Sequence, residues 1–89
     1  MAHVVIYTRG LCWFCRRARK LLMRKSVAFE EFDVWKEPER FGEMIERSGG
    51  GMTVPQIFID DLHVGGSDEL IELDRAGRLD ALLAVEAPD

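Results

Sequence analysis

A chain of 89 residues, 47% apolar and 31% charged, has the make-up of one globular domain, residues 1–89. A domain of this size buries roughly 60–70% of its unfolded surface and needs no staples. The opening MAHVVIYTRG lacks an n-region, h-region and cleavage pattern, and no apolar run approaches the length of a membrane helix, so no targeting or membrane segment is expected.

Residues His3 to Thr8 (HVVIYT) read as a strand. Phe14 to Lys25 carries helical periodicity, with Phe14, Cys15, Ala18, Leu21 and Leu22 as its apolar stripe. Val27 to Val34 (VAFEEFDV), rich in β-branched and aromatic residues, reads as a second strand. Pro38 suits the first turn of a second helix with Phe41, Met44 and Ile45 on its apolar face. Gly49-Gly50-Gly51 stops that helix and gives a flexible loop. Gln56 to Ile59 and Leu62 to Val64 form a hairpin around Asp60-Asp61. Ser67 is the expected N-cap of a third helix, with Asp68 and Glu69 in its first turn and Leu70, Ile71 and Leu73 facing inward. Gly77 ends it, and Leu79 to Val85 adds a further helical segment. The order is β-α-β-α-β-β-α. A helical crossover makes the first two strands parallel, and an α/β four-stranded mixed sheet flanked by helices is the compact solution. Tyr7, Phe29, Phe32, Phe41 and Phe58 lie at core spacing, whereas the sequence names no role for Trp35.

Cys12 and Cys15 are the only cysteines, written Cys12-Trp13-Phe14-Cys15 where the first strand gives way to the first helix. Orphan backbone N–H groups and the positive end of the helix dipole favour a thiolate there. Two intervening residues set both sulfurs near one helical face, so the pair reads as a redox dithiol. Without a secretory signal, two cysteines argue for catalytic or metal use in a reducing compartment, here the cytoplasm. Charge is polarised along the chain. Residues 1–29 hold seven basic residues and no acidic one, and all 16 acidic residues lie from Glu30 onward, so a net charge of −4 divides into +7 and −11. One reading is a solvated basic helix face; another is a field that lowers the thiol pKa and draws in an anionic substrate. Nucleic-acid binding lacks an aromatic-interleaved basic surface.

The CxxC after the first strand, Thr53-Val54-Pro55 before the third and Gly65-Gly66-Ser67-Asp68 before the last long helix resemble the glutaredoxins, most of all the short bacterial dithiol type, over residues 3–84. The resemblance implies the thioredoxin fold in its minimal form and a glutathione-dependent thiol–disulfide oxidoreductase. It makes Cys12 the nucleophile and Cys15 the more buried second cysteine. It makes the Val54–Pro55 bond cis, leaving the Val54 backbone to pair with an extended substrate like an added strand. Glutathione contacts carry over to Arg9, Phe14, Thr53, Val54, Pro55, Gly66, Ser67 and Asp68. Arg9 would meet the glycine carboxylate, and the helix start at Ser67 and Asp68 the γ-glutamyl end. Arg40 is a candidate for the family's other carboxylate contact. Partners implied are glutathione and glutathionylated or disulfide-bonded proteins, ribonucleotide reductase among them, acting on a monomer.

Two departures stand out. Trp13 occupies the position usually held by proline in dithiol glutaredoxins, and Phe14 replaces the common tyrosine. Some members lacking that proline hold a [2Fe–2S] cluster between two subunits through the first cysteine and glutathione, which makes cluster binding an alternative. A thioredoxin-like reductant fed by a reductase is another, against which stand Arg9 and the Gly65–Asp68 motif. Zinc is not expected, because His3 and His63 lack the ligand spacing of a Cys₂His₂ site.

Overall fold

The computed structural model describes residues 2–84. Along the chain run β1 (Val4–Thr8), α1 (Trp13–Arg24), β2 (Phe29–Asp33), α2 (Pro38–Arg47), β3 (Gln56–Ile59), β4 (Leu62–Gly65), α3 (Ser67–Arg75) and α4 (Leu79–Ala84). The sheet order is β2-β1-β3-β4. β1 and β2 are parallel with Val4 opposite Phe29, β1 and β3 antiparallel with Val4 opposite Ile59, and β3–β4 is a hairpin. The two inner strands, VVIYT and QIFI, are buried at every position, which is why they read as near-continuous apolar runs rather than alternating ones.

Alternate residues of those strands face opposite layers. Val4, Ile6, Ile57 and Ile59 pack with Ala18, Leu21 and Leu22 of α1, Leu70 of α3 and Leu79 and Leu83 of α4. Val5, Tyr7 and Phe58 pack with Val34, just past β2, and with Met44 of α2. Full burial of side chains this size stabilises by about 1.5–3 kcal/mol each before ordering costs. The larger cluster therefore fixes α1 against the sheet and, with it, the direction in which the cysteine end of α1 points.

Several expectations shift at their edges. The first strand begins at Val4, one residue later than expected. The second is shorter than Val27 to Val34: Val27 turns into the core and Val34 instead donates to the Thr8 carbonyl at 2.9 Å. The segment after α2 is a tied turn rather than a flexible loop. Gly50 sits at φ 108, a conformation side chains rarely adopt, so its N–H reaches the Ile45 carbonyl at 2.8 Å. The Ser48 hydroxyl oxygen accepts from the Gly51 N–H at 2.8 Å. Gly66, not Ser67, is the N-cap of α3. Ser67 is the first helical residue and is 4% exposed, while Glu69 reaches back to accept the Gly66 N–H at 2.7 Å. That acceptor does the capping, so no Ser hydroxyl is needed. Leu79 to Ala84 is helical as expected; Val85 lies outside the described residues.

Candidate active site

The strongly buried β1 ends at Thr8, and Arg9, Gly10 and Leu11 carry the chain over the sheet edge to Cys12. Leu11 has φ 53 and a fully exposed side chain, so tertiary context rather than its own preference holds this turn. Cys12 is the N-cap of α1, with extended backbone and its Sγ accepting the Cys15 N–H at 3.2 Å. The Arg16 N–H donates to the Cys12 carbonyl at 3.1 Å and opens the helical ladder. Cys12 and Cys15 are joined as a disulfide, their Cα atoms 5.2 Å apart. Cys15 is fully buried at 0% against 8% for Cys12, so only the first cysteine keeps any exposure.

The separation has a helical cause. Cys15, Ala18, Leu21 and Leu22 form the buried stripe of α1. Phe14, expected on that stripe, is instead 51% exposed. One residue further round the first turn, its ring faces a groove of about 310 Å³ lined also by Thr53, Val54, Pro55, Gly66, Ser67 and Asp68. Seven of the residues implied by motif thus share one depression. Val54–Pro55 is a cis peptide bond, and Val54 makes no backbone hydrogen bond among the described residues.

Arg9 lies elsewhere. It lines a second groove of about 320 Å³ with Val34, Trp35, Phe41 and Met52. The two grooves share Thr53 and Val54, which form the ridge between them. The Arg9 guanidinium sits over the Trp35 ring, 5.0 Å from its centroid. Trp35 is 66% exposed, which makes it an unusual aromatic to find unless it serves this cation or a ligand. Its position two residues past β2 gave no signal in the sequence, because only the parallel pairing of β1 with β2, in register to Thr8 opposite Asp33, brings the segment after Asp33 beside Arg9.

Gln56 is a second residue that motif reasoning passed over. It is 7% exposed, and its side chain donates to the Thr53 carbonyl at 3.0 Å while accepting from His63 Nε2 at 2.7 Å. The acceptor fixes His63 in the tautomer protonated on Nε2. His63 stacks on Phe58, with centroids 4.9 Å apart. Gln56 and His63 both line the first groove, where Gln56, held by His63, ties down Thr53. An amide in an otherwise apolar strand was the available clue.

Arg40 does not join the site: it stacks on Phe32 at 3.8 Å and bonds to Glu43. With its side chain engaged there, it lines neither groove. His3 contacts Glu30, and no group of three or more His, Cys, Asp or Glu among the described residues is arranged to hold a metal ion.

A family model described as Glutaredoxin matches residues 4–64. Glutaredoxin 3 of Escherichia coli (strain K12) is 51% identical over 83 residues, covering 93% of this chain and 99% of its own. The solution structure of glutaredoxin from Brucella melitensis is 52% identical and superposes with a TM-score of 0.79 over 93% of this chain and 89% of that one. A crystal structure of a buckwheat glutaredoxin–glutathione complex is 26% identical, with a TM-score of 0.82 over 92% of this chain and 76% of that one. With a slightly exposed cysteine capping α1, a fully buried partner three residues on and a thioredoxin-fold sheet behind them, this chain belongs to the glutaredoxin family of thiol–disulfide oxidoreductases.

Proposed function

We propose that this protein reduces glutathione mixed disulfides and protein disulfides with Cys12 as nucleophile and Cys15 as resolving thiol. The observation that carries the reading is the unequal burial of two bonded cysteines at a helix N-terminus, one at 8% and one at 0%. In the reduced protein the Cys15 N–H and the dipole of α1 favour the Cys12 thiolate. That thiolate attacks the glutathione sulfur of a glutathionylated protein; the Cys12–glutathione disulfide forms and the protein leaves as its thiolate. A second glutathione thiolate attacks the glutathione sulfur, releasing oxidised glutathione and the Cys12 thiolate. With a protein disulfide, Cys12 forms a mixed disulfide with one substrate sulfur, and Cys15 attacks Cys12 to close the disulfide seen here and expel the reduced substrate.

Glutathione fits the two grooves as a ligand charged at both ends. The first two N–H groups of α3, on Ser67 and Asp68, suit the γ-glutamyl carboxylate, and the Asp68 carboxylate suits its amino group. The unbonded Val54 backbone on the ridge suits the peptide's middle, and Arg9 across it suits the glycine carboxylate. Phe14 and Pro55 supply the apolar wall. We take residues 1–89 as one domain that acts as a monomer in the cytoplasm, with ribonucleotide reductase among its substrates.

The test is the coupled assay with a glutathione mixed disulfide, glutathione, glutathione reductase and NADPH, run on wild type and Cys12→Ser. Turnover that disappears in Cys12→Ser supports the proposal; equal turnover in both overturns it. Cluster binding is the rival reading, and Trp13, 68% exposed in place of the usual proline, is what keeps it in view. Cys12 is the more exposed of the two cysteines, so a [2Fe–2S] cluster bound through it would take its other ligands from glutathione and a second copy. Silent, folded protein that is coloured when purified without oxygen would favour that reading.

A further inference from the structure

A third depression, about 700 Å³, lies along the outside of α1 and α3 and is lined by Arg17, Lys20, Met23, Arg24, Ile71 and Arg75. Two ion pairs give its geometry: Arg17 to Asp68 at 3.7 Å at one end, and Lys25 to Asp74 at 2.7 Å at the other. The two helices therefore run side by side in the same direction. Arg17, Lys20 and Arg24 form a single stripe of α1, spaced three and four residues apart, and Ile71 and Arg75 the facing stripe of α3. From Arg17 to Arg24 this is two helical turns, about 10 Å.

Four of the six lining residues are cations, in a chain whose net charge is −4. Among the described residues Lys20, Arg24 and Arg75 make no ion pair, although 16 acidic residues are present in the chain. Met23, 65% exposed, and the half-buried Ile71 give the groove an apolar floor. One end lies beside the glutathione groove, because Arg17 pairs with Asp68 and lies 6.0 Å from the Phe14 ring, both of which line it.

We infer that this groove docks an acidic segment of the protein substrate, centred on Lys20, eight residues or about 12 Å along α1 from Cys12. The inference rests on the oxidoreductase reading and adds to it a determinant of which proteins are reduced. The length and apolar floor suit carboxylates carried on a short amphipathic peptide, with side chains seated on Met23 and Ile71. A phosphate backbone would have no use for that floor, and an anionic lipid surface is the competitor that the vesicle measurement below separates. The steering part of the effect falls with salt, because the rim charges are exposed and screened over about 10 Å at 0.1 M ionic strength.

Two glutathionylated peptides test it, identical around the modified cysteine. One bears an Asp/Glu cluster about 12 Å away and the other the matching Asn/Gln cluster. At low salt, wild type should turn over the acidic peptide with a kcat/KM about tenfold above the neutral one, a preference that shrinks at high salt. K20E/R24E/R75E should abolish or invert the preference while keeping the neutral peptide within about twofold of wild type. K20Q/R24Q/R75Q should fall between, and decides the matter if the reversed variant folds poorly. Equal rates on both peptides in wild type, or a preference unchanged in the variants, would overturn the inference. Failure to turn over either peptide refutes the oxidoreductase reading instead. Docking is then decided by anisotropy of the labelled acidic peptide without its glutathione, bound by wild type and released by the charge-reversed variant. Tighter binding to an anionic phospholipid vesicle or to a single-stranded oligonucleotide than to the acidic peptide would also overturn it.

Discussion

Removing the Trp35 ring tests whether the second groove takes part in binding glutathione. Trp35→Ala deletes the face on which the Arg9 guanidinium rests, 5.0 Å from the centroid. The ring is 66% exposed, so the interaction is well solvated and belongs at the weak end of its class, about 0.5–1 kcal/mol. If Arg9 must be held in place to meet the glycine carboxylate, that energy appears as lost substrate binding, roughly a two- to fivefold rise in KM for a glutathione mixed disulfide. Arg9 would meet a charged end of glutathione rather than the reacting sulfur, so kcat should be unchanged. Steady-state kinetics in the coupled assay measures both. Trp35→Phe retains an aromatic face and should recover most of the affinity. In an Arg9→Ala background the Trp35→Ala effect should vanish, because the two residues act as one unit. An unchanged KM in Trp35→Ala, or a full additional loss on top of Arg9→Ala, would refute the reasoning.

Cys15→Ser should retain reduction of glutathione mixed disulfides and lose reduction of protein disulfides, since the first route never uses the buried sulfur; equal loss of both in paired assays would count against separate roles. Gly65→Ala places a methyl group 2.8 Å from Glu69 Oε1 at a backbone φ of +112. That backbone cost is about 1–3 kcal/mol, with each kcal/mol lowering Tm by roughly 4–8 °C, and displacement of Glu69 uncaps α3, so calorimetry should show lower stability and the assay a higher KM. Hydrogen bonding from Tyr7, aided by Arg40, holds the Glu43 carboxyl below the usual carboxylate range. A carboxylate with a depressed folded pKa stabilises fully above its unfolded pKa and loses that contribution as pH falls through the folded one. Urea midpoints should therefore drop less for Glu43→Gln than for wild type between about pH 5 and about pH 3; parallel curves would remove Glu43 from the account.

Local chemistry carried much of this protein into legibility. The apolar runs of β1 and β3, the helical stripe ending in Leu21 and Leu22, and Pro38 opening α2 each announce their element through period, propensity or a fixed φ. The cysteine spacing and the three motifs pointed to the chemistry before any fold was known, because a dithiol at a helix start and a Gly-Gly turn into another helix are properties of consecutive residues. The N-cap at Gly66 and the hydrogen-bonded Gly49–Gly51 turn escaped that reading. Each depends on which nearby group supplies the acceptor, Glu69 in one case and Ile45 and Ser48 in the other. What only the tertiary structure decided is everything made between strands and helices distant in sequence. The pairing of β1 with β2 brings Arg9 to Trp35, and the hairpin brings His63 to Gln56. The side-by-side packing of α1 and α3 lines up the cations of one with Arg75 of the other. A sequence specifies which residues carry charge and rings, but the register of a sheet and the facing of two helices are set by how the whole apolar surface is buried at once, and no window along the chain contains that information.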